Sequence, residues 1–177
     1  MNVIGGEPMA VPDLDKIVRY AKVERRAKVR IAHSNASIMP PEGVDEVGVS
    51  LRAFSKRKHQ QLTGAQNSKV LSNIYRMHDK GIRLKVTTIL IPEMIDAKEI
   101  EDIAKFVSEV GGDVPLHITG YIPVPGLPWR RPNRDEMADA VIAAKKHMSR
   151  VTCSILSVRE YLSISERDSL HYGQQGA

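Results

Sequence analysis

The sequence predicts an α/β fold in which parallel strands are covered by outer helices. Three observations carry this reading. Short apolar, β-branched runs alternate with segments of helical period; Gly, Pro, Asp and Asn stand at the junctions, where caps and turns belong; and the chemically unusual residues fall just after the predicted strands. With 177 residues and 42% hydrophobic side chains, the chain is long enough for one buried core.

Val3 and Ile4 end a short first strand and lead directly into Gly5-Gly6-Glu7-Pro8. Pro12 and Asp13 then open a helix in which Leu14, Ile17, Val18 and Ala21 recur at i, i+3, i+4 and i+7 and form one apolar face. Val29 and Ile31 alternate with Arg30 and Ala32 in a second strand that ends near His33, and a Pro-Pro-Glu-Gly stretch leads to a third at 47–51. Over 67–80, Val70, Leu71, Ile74, Tyr75 and Met77 have helical spacing, with Gly81 placed to stop the helix. The fourth strand, 82–91, is nearly continuous in β-branched and apolar residues, as a strand buried on both faces would be, and Pro92 closes it.

Asp96 with Glu99 has capping-box spacing, and Ile100, Ile103, Ala104, Val107 and Val110 make the buried stripe of the helix that follows. A fifth strand spans 116–121. Behind it, residues 122–133 hold four prolines, one glycine and Trp129, which reads as a rigid loop. Asn133 and Glu136 repeat the capping spacing before a helix to about Met148 with Met137, Val141, Ile142 and Ala144 inside, and 151–156 is the last strand. Val158, Tyr161, Leu162 and Ile164 in the polar tail have the character to dock on the body.

Lys and Arg number 26 against 21 Asp and Glu, a formal charge of +5. The excess is clustered at Arg19–Arg30, at Arg52–Lys58 and at Arg130–Arg134. A nucleic-acid face would look like this, but Tyr and Phe number only 5 and 2 and are not interleaved with the charges, so solvated surface is the simpler reading. No run reaches the roughly 18 apolar residues of a membrane span and the first residues lack a secretory signal pattern, so the expected location is the cytoplasm. The six histidines have no metal-ligand spacing, which leaves no predicted metal site. The one cysteine, Cys153, lies in a predicted strand and reads as a small core residue.

The strand ends carry Gly5-Gly6-Glu7-Pro8, His33-Ser34-Asn35, Ser50-Leu51-Arg52, Pro92-Glu93, and His117 with the proline loop, so the polar and backbone-special groups converge on one rim. Gly5-Gly6 lets backbone approach a ligand, and Glu7 adds a carboxylate; together they suit a ligand with an amine and acceptor oxygens, although a plain tight turn would also use them. An anion-cradling phosphate site is a further possibility for the two glycines, made awkward by the neighbouring carboxylate. No residue here reads as a catalytic acid, base or nucleophile.

Gly5-Gly6-Glu7-Pro8 directly after an apolar strand resembles the corresponding motif of radical S-adenosylmethionine enzymes. Val49-Ser50-Leu51-Arg52-Ala53-Phe54, Leu62-Thr63-Gly64, Leu90-Ile91-Pro92-Glu93 and Pro115-Leu116-His117 are similar, in order, to motifs of the branch containing pyruvate formate-lyase activating enzymes. In that branch the matching stretches typically read Asp-Leu-Lys-Ala-Phe, Leu-Thr-Gly, Ile-Pro-Gly and Pro-hydrophobic-His. The resemblance implies a partial TIM-like (β/α)6 radical S-adenosylmethionine barrel over 1–156, with 157–177 as an extension or tail. It implies that Gly5, Gly6 and Glu7, with Pro8 completing the turn, hold the amino group of S-adenosylmethionine. Asn35, Ser50 and Arg52 would face its ribose and carboxylate, and Thr87 or Thr88, Ile91 and His117 would line the rest of the pocket.

Three departures stand out. Arg52 replaces Lys and keeps the cation with a bidentate fork; Ser50 replaces Asp and removes a charge; Glu93 replaces Gly. The family also binds a [4Fe-4S] cluster through a CxxxCxxC loop, and one cysteine cannot supply it. The expectation is therefore the C-terminal part of a glycyl-radical-activating enzyme, inactive alone, whose full-length parent carries the cluster, takes electrons from a flavodoxin or ferredoxin and acts on a protein or peptide. A non-catalytic binding module of the same fold is the alternative. An unmet strand edge would favour self-association.

Overall fold

The computed structural model describes residues 1–155. Six strands, β1 (Asn2–Val3), β2 (Arg30–Ser34), β3 (Glu46–Ser50), β4 (Arg83–Leu90), β5 (Leu116–Gly120) and β6 (Val151–Ser154), form one sheet in the order of the sequence. Every neighbouring pair is parallel. The helices α1 (Leu14–Val23), α2 (Lys56–Thr63), α3 (Ser68–Asp79), α4 (Ala97–Val110) and α5 (Arg134–Lys145) lie in every crossover except that from β2 to β3, and a 3-10 turn at Pro8–Ala10 follows β1. This is the expected α/β architecture of parallel strands with helices packed outside. The expected boundary at 156/157 and the docking of Val158, Tyr161, Leu162 and Ile164 lie outside the described residues.

β4 shows how the sheet sorts its side chains. Leu84, Val86, Thr88 and Leu90 are buried, whereas Arg83 and Lys85 are exposed and Thr87 and Ile89 half-buried. The buried set packs with Ile100, Ile103 and Val107 of α4 and Leu116 and Ile118 of β5 in the core between sheet and helices. The other set faces the concave side. The strand is therefore buried on one face only, and Thr88 is a core residue with no hydrogen-bond partner for its hydroxyl among the described residues, away from the cofactor pocket it was a candidate for. At the amino-terminal end of the concave face, Arg30 and Arg83 both pair with Glu46, at 2.9 and 3.1 Å.

Several local expectations shift. Ile17 is 44% exposed and Ile142 61%, while Ala140, Ala143 and Ala144 are buried in Ile142's stead. The small alanines let α5 lie close on α4, which turns the larger side chain outward. α2 was not anticipated; Leu62 is its one apolar side chain, and only His59 is fully buried. The Asp96 cap accepts the Glu99 amide at 2.9 Å, but the Glu99 side chain does not return the bond, so only half a capping box forms there. At Asn133 and Glu136 the full reciprocal box is present. Cys153 is exposed and not a core residue: β6 is an outer strand of the described sheet, so part of its helix-side face lacks cover. Trp129 packs edge-on against Tyr121, ring centroids 6.0 Å apart, and so pins the proline loop to the body.

Candidate functional site

The turn after β1 is built from glycine because both positions need it. Gly5 has φ of 101° and Gly6 of 52°, and a Cβ added at either would meet nothing within 4 Å, so the open backbone faces unfilled space. Glu7 follows in extended conformation and points back across the sheet edge to β2. Its Oε1 accepts the Ser34 hydroxyl at 2.7 Å and the Met9 amide at 3.3 Å; its Oε2 accepts the Asn35 amide at 2.7 Å. The Ser34 oxygen in turn accepts the Ala36 amide at 2.9 Å. One carboxylate thus joins the turns after β1 and β2, with charge-assisted bonds typically worth about 1.5 to 3 kcal/mol each. A carboxylate offers about four acceptor sites, so Oε2 retains capacity for a further donor.

Pro8 is buried beneath this turn, and Asn35 is exposed above it with its side chain accepting the Ser37 amide at 2.8 Å. Ser50, Thr87 and His117 form a row across the concave face, since Ser50 is registered with Thr87 and Thr87 with His117. Thr87 donates its hydroxyl to the Val49 carbonyl at 3.3 Å. The row continues to Thr152 in β6. His117 contacts two hydroxyls, Nδ1 to Thr152 Oγ1 at 2.8 Å and Nε2 to Ser154 Oγ at 3.0 Å. Burial first, and the Lys85 charge second, push its pKa below the usual histidine value, which favours the neutral ring that can donate from one nitrogen and accept at the other.

Two predicted site residues lie outside this network of hydrogen bonds. Ile91 is 3% exposed and packed in the core. Arg52 is exposed two residues beyond β3 and has no hydrogen bond or ion pair among the described residues. Sequence reasoning missed the groups that brace the rim from below. Asn73, buried in α3, donates to the Ala36 carbonyl at 2.9 Å, and Ala36 itself has φ of 57°. Asn67 donates to the Ala53 and Phe54 carbonyls, at 3.3 and 2.5 Å. Glu99 accepts two amides of the same turn. The available signal was Asn73 at helical spacing among the apolar residues Val70, Ile74 and Met77, because unpaired buried amides are rare.

A protein of Methanocaldococcus jannaschii named as a glycyl-radical enzyme activating enzyme is 33% identical over 160 residues, which are 86% of this chain and 62% of the relative. A domain of a pyruvate-formate lyase-activating enzyme from Bacteroides vulgatus superposes with a TM-score of 0.67 at 15% identity, covering 89% of this chain and 98% of that one. The chain is a homologue of the Methanocaldococcus protein and shares the fold of the Bacteroides domain. Its parallel six-stranded sheet with outer helices matches the fold of that structural neighbour. A protein of Aeropyrum pernix named as a GTP 3′,8-cyclase is 27% identical over 175 residues, 91% of the chain and 49% of the relative. The chain thus spans about half to three fifths of the length of these two relatives. No family model matches it.

The two cofactors that the sequence resemblance implies fit this chain differently. The open Gly5-Gly6 backbone and the spare capacity on Glu7 suit an amine-bearing ligand. The donor set for an iron-sulfur cluster is another matter: the 177 residues contain one cysteine, and the described residues hold no group of three or more His, Cys, Asp or Glu placed for a metal ion. These residues do not form a cluster site.

Proposed function

We propose that this chain forms the S-adenosylmethionine-holding part of a radical enzyme of the glycyl-radical-activating kind. The observation that carries the reading is the Glu7 clamp on Ser34 and Asn35, which fixes the Gly5-Gly6 backbone beside the concave row of Ser50, Thr87 and His117. The exposed carbonyl groups of Gly5 and Gly6, with the free lone pair on Glu7, accept hydrogen bonds from the ligand's amino group. Arg52, which has no ion-pair partner among the described residues, stands at the same rim and pairs with the ligand's carboxylate. Asn35 and Ser50 offer hydrogen bonds to the ribose, and the neutral His117, held by Thr152 and Ser154, closes the concave side. Pro8 and Ile91, both buried, support the pocket from beneath.

When bound and reduced, S-adenosylmethionine supplies the hydrogen-abstracting chemistry in this family. The [4Fe-4S] cluster and its electron donor, a flavodoxin or ferredoxin, belong to the full-length parent, and the substrate is a protein or peptide, as the name of the Methanocaldococcus relative suggests for that protein. The nucleic-acid reading is weaker, since each basic cluster has a cation engaged with a carboxylate: Lys22 with Asp45, Arg30 with Glu46, Lys58 with Glu99 and Arg130 with Glu136. A phosphate site at Gly5-Gly6 is disfavoured by the adjacent Glu7 charge.

The test has two arms. Calorimetry of the chain with S-adenosylmethionine should detect binding that falls about tenfold or more in Glu7→Ala, the loss expected for charge-assisted bonds. After incubation with iron, sulfide and a reductant, the chain alone should release no 5′-deoxyadenosine. Equal affinity of the variant would overturn the pocket, and turnover by the chain alone would overturn the division of labour.

A further inference from the structure

We infer that Glu99 is a positioning residue for the rim: from the first turn of α4 it fixes the backbone that carries Arg52. This rests on the proposed S-adenosylmethionine site. Glu99 is 3% exposed, and burying a carboxylate is unfavourable unless hydrogen bonds and a countercharge compensate. Here both are present, and they come from elsewhere in the fold. Oε1 accepts the amides of Phe54 at 2.8 Å and Ser55 at 2.6 Å, which are 45 and 44 residues away in sequence, and Oε2 lies 3.3 Å from Lys58 Nζ.

A comparison within the chain shows that this is a diversion. Helices α4 and α5 begin with the same cap spacing, Asp96 to Glu99 and Asn133 to Glu136. Glu136 accepts the Asn133 amide at 2.9 Å and completes its own cap. Glu99 leaves its cap half made and reaches the turn after β3 instead. Asn67 grips the carbonyls of that turn, at Ala53 and Phe54, and likewise makes no side-chain cap bond to its own helix α3. Donors and acceptors of residues 53–55 are therefore held from the helical layer by two buried polar side chains. Arg52, immediately before them, is exposed and without a partner among the described residues. The braced turn limits where its guanidinium can reach and leaves the charge available to a ligand.

Four proteins decide the matter: wild type, Arg52→Ala, Glu99→Ala and the double variant, with Glu99→Gln as a fifth that keeps volume and one acceptor oxygen. Amide exchange at Phe54 and Ser55 is read by NMR, and S-adenosylmethionine affinity by calorimetry. Exchange at both amides should accelerate in Glu99→Ala and be partly restored in Glu99→Gln. Affinity should fall about tenfold in Glu99→Ala, less in Glu99→Gln, and no further in the double variant than in Arg52→Ala, because the group being positioned is gone. Additive losses, or unchanged exchange at Phe54 and Ser55, would overturn the assignment. If Arg52→Ala binds as tightly as wild type, the rim reading fails and the aiming of Arg52 with it, while exchange at the two amides still decides whether Glu99 holds the turn.

Discussion

Gly48 in β3 lies so close to Ala32 in β2 that a Cβ on it would overlap the Ala32 carbonyl oxygen. The contact falls where the β2–β3 register shifts between Ile31 and Ser34, so that Ser34 stands opposite Val49. The glycine is required for space and not for a left-handed backbone. The same shift sets the level at which Ser34 and Asn35 meet Glu7.

Gly48→Ala should therefore destabilise the fold by about 2 to 3 kcal/mol, the range for overpacking against unyielding backbone. Urea unfolding monitored by circular dichroism measures this. An unchanged midpoint would mean that the two strands separate at little cost.

Glu93 stands at φ of 67°, and its side chain is exposed. The sequence already showed Glu where the related branch has Gly, and the backbone gives the reason for that Gly. Glu93→Gly should be neutral to stabilising by up to about 1 kcal/mol, since the relief of left-handed strain is offset in part by a more flexible unfolded chain. Glu93→Ala serves as the control and should not stabilise. A loss on Glu93→Gly would show that the carboxylate does more than occupy the turn.

Two groups make stability depend on pH in separate windows. His117 has a folded pKa below 6.5, so the unfolded chain binds its proton first and stability should decline as pH falls below 6.5. Glu136 is held down to about 2 from 4.5, by Arg130 first and the Asn133 amide second, so its contribution is complete above 4.5 and is lost as pH falls towards 2. Both groups are partly solvated, which keeps the effects modest. Thermal melts from pH 8 to pH 2 should show His117→Gln flattening the upper window and Glu136→Gln the lower one. Coincident profiles for the variants and wild type would contradict both.

The order and type of most elements were legible, because they depend on patterns only three or four residues long. The stripe from Ile100 to Val110 predicted α4, and the β-branched run before Pro92 predicted β4. The same local logic failed for α2, whose eight residues bury one side chain and so leave no stripe to read. It also misjudged Ile142, because the partner helix chose the alanine face of α5. Cys153 looked internal because it lies in a strand, yet strand membership alone does not show whether a helix covers that stretch.

The candidate site divides in the same way. The sequence by itself determined a parallel α/β sheet, the arrival of Gly5-Gly6-Glu7, Asn35, Ser50 and Arg52 at strand ends, and the likeness to radical S-adenosylmethionine enzymes; His117, expected there too, is instead the second residue of β5, inside the sheet. Only the tertiary structure decided that Glu7 binds Ser34 and Asn35, that Ser50, Thr87 and His117 share one row, and that Glu99 serves the turn after β3 in place of its own cap. Helix and strand periods arise from bonds between near neighbours and are written locally. Which buried polar group meets which partner depends on the side chains that share a dry interior once the helices pack on the sheet, and here those partners stand 27 to 45 residues apart.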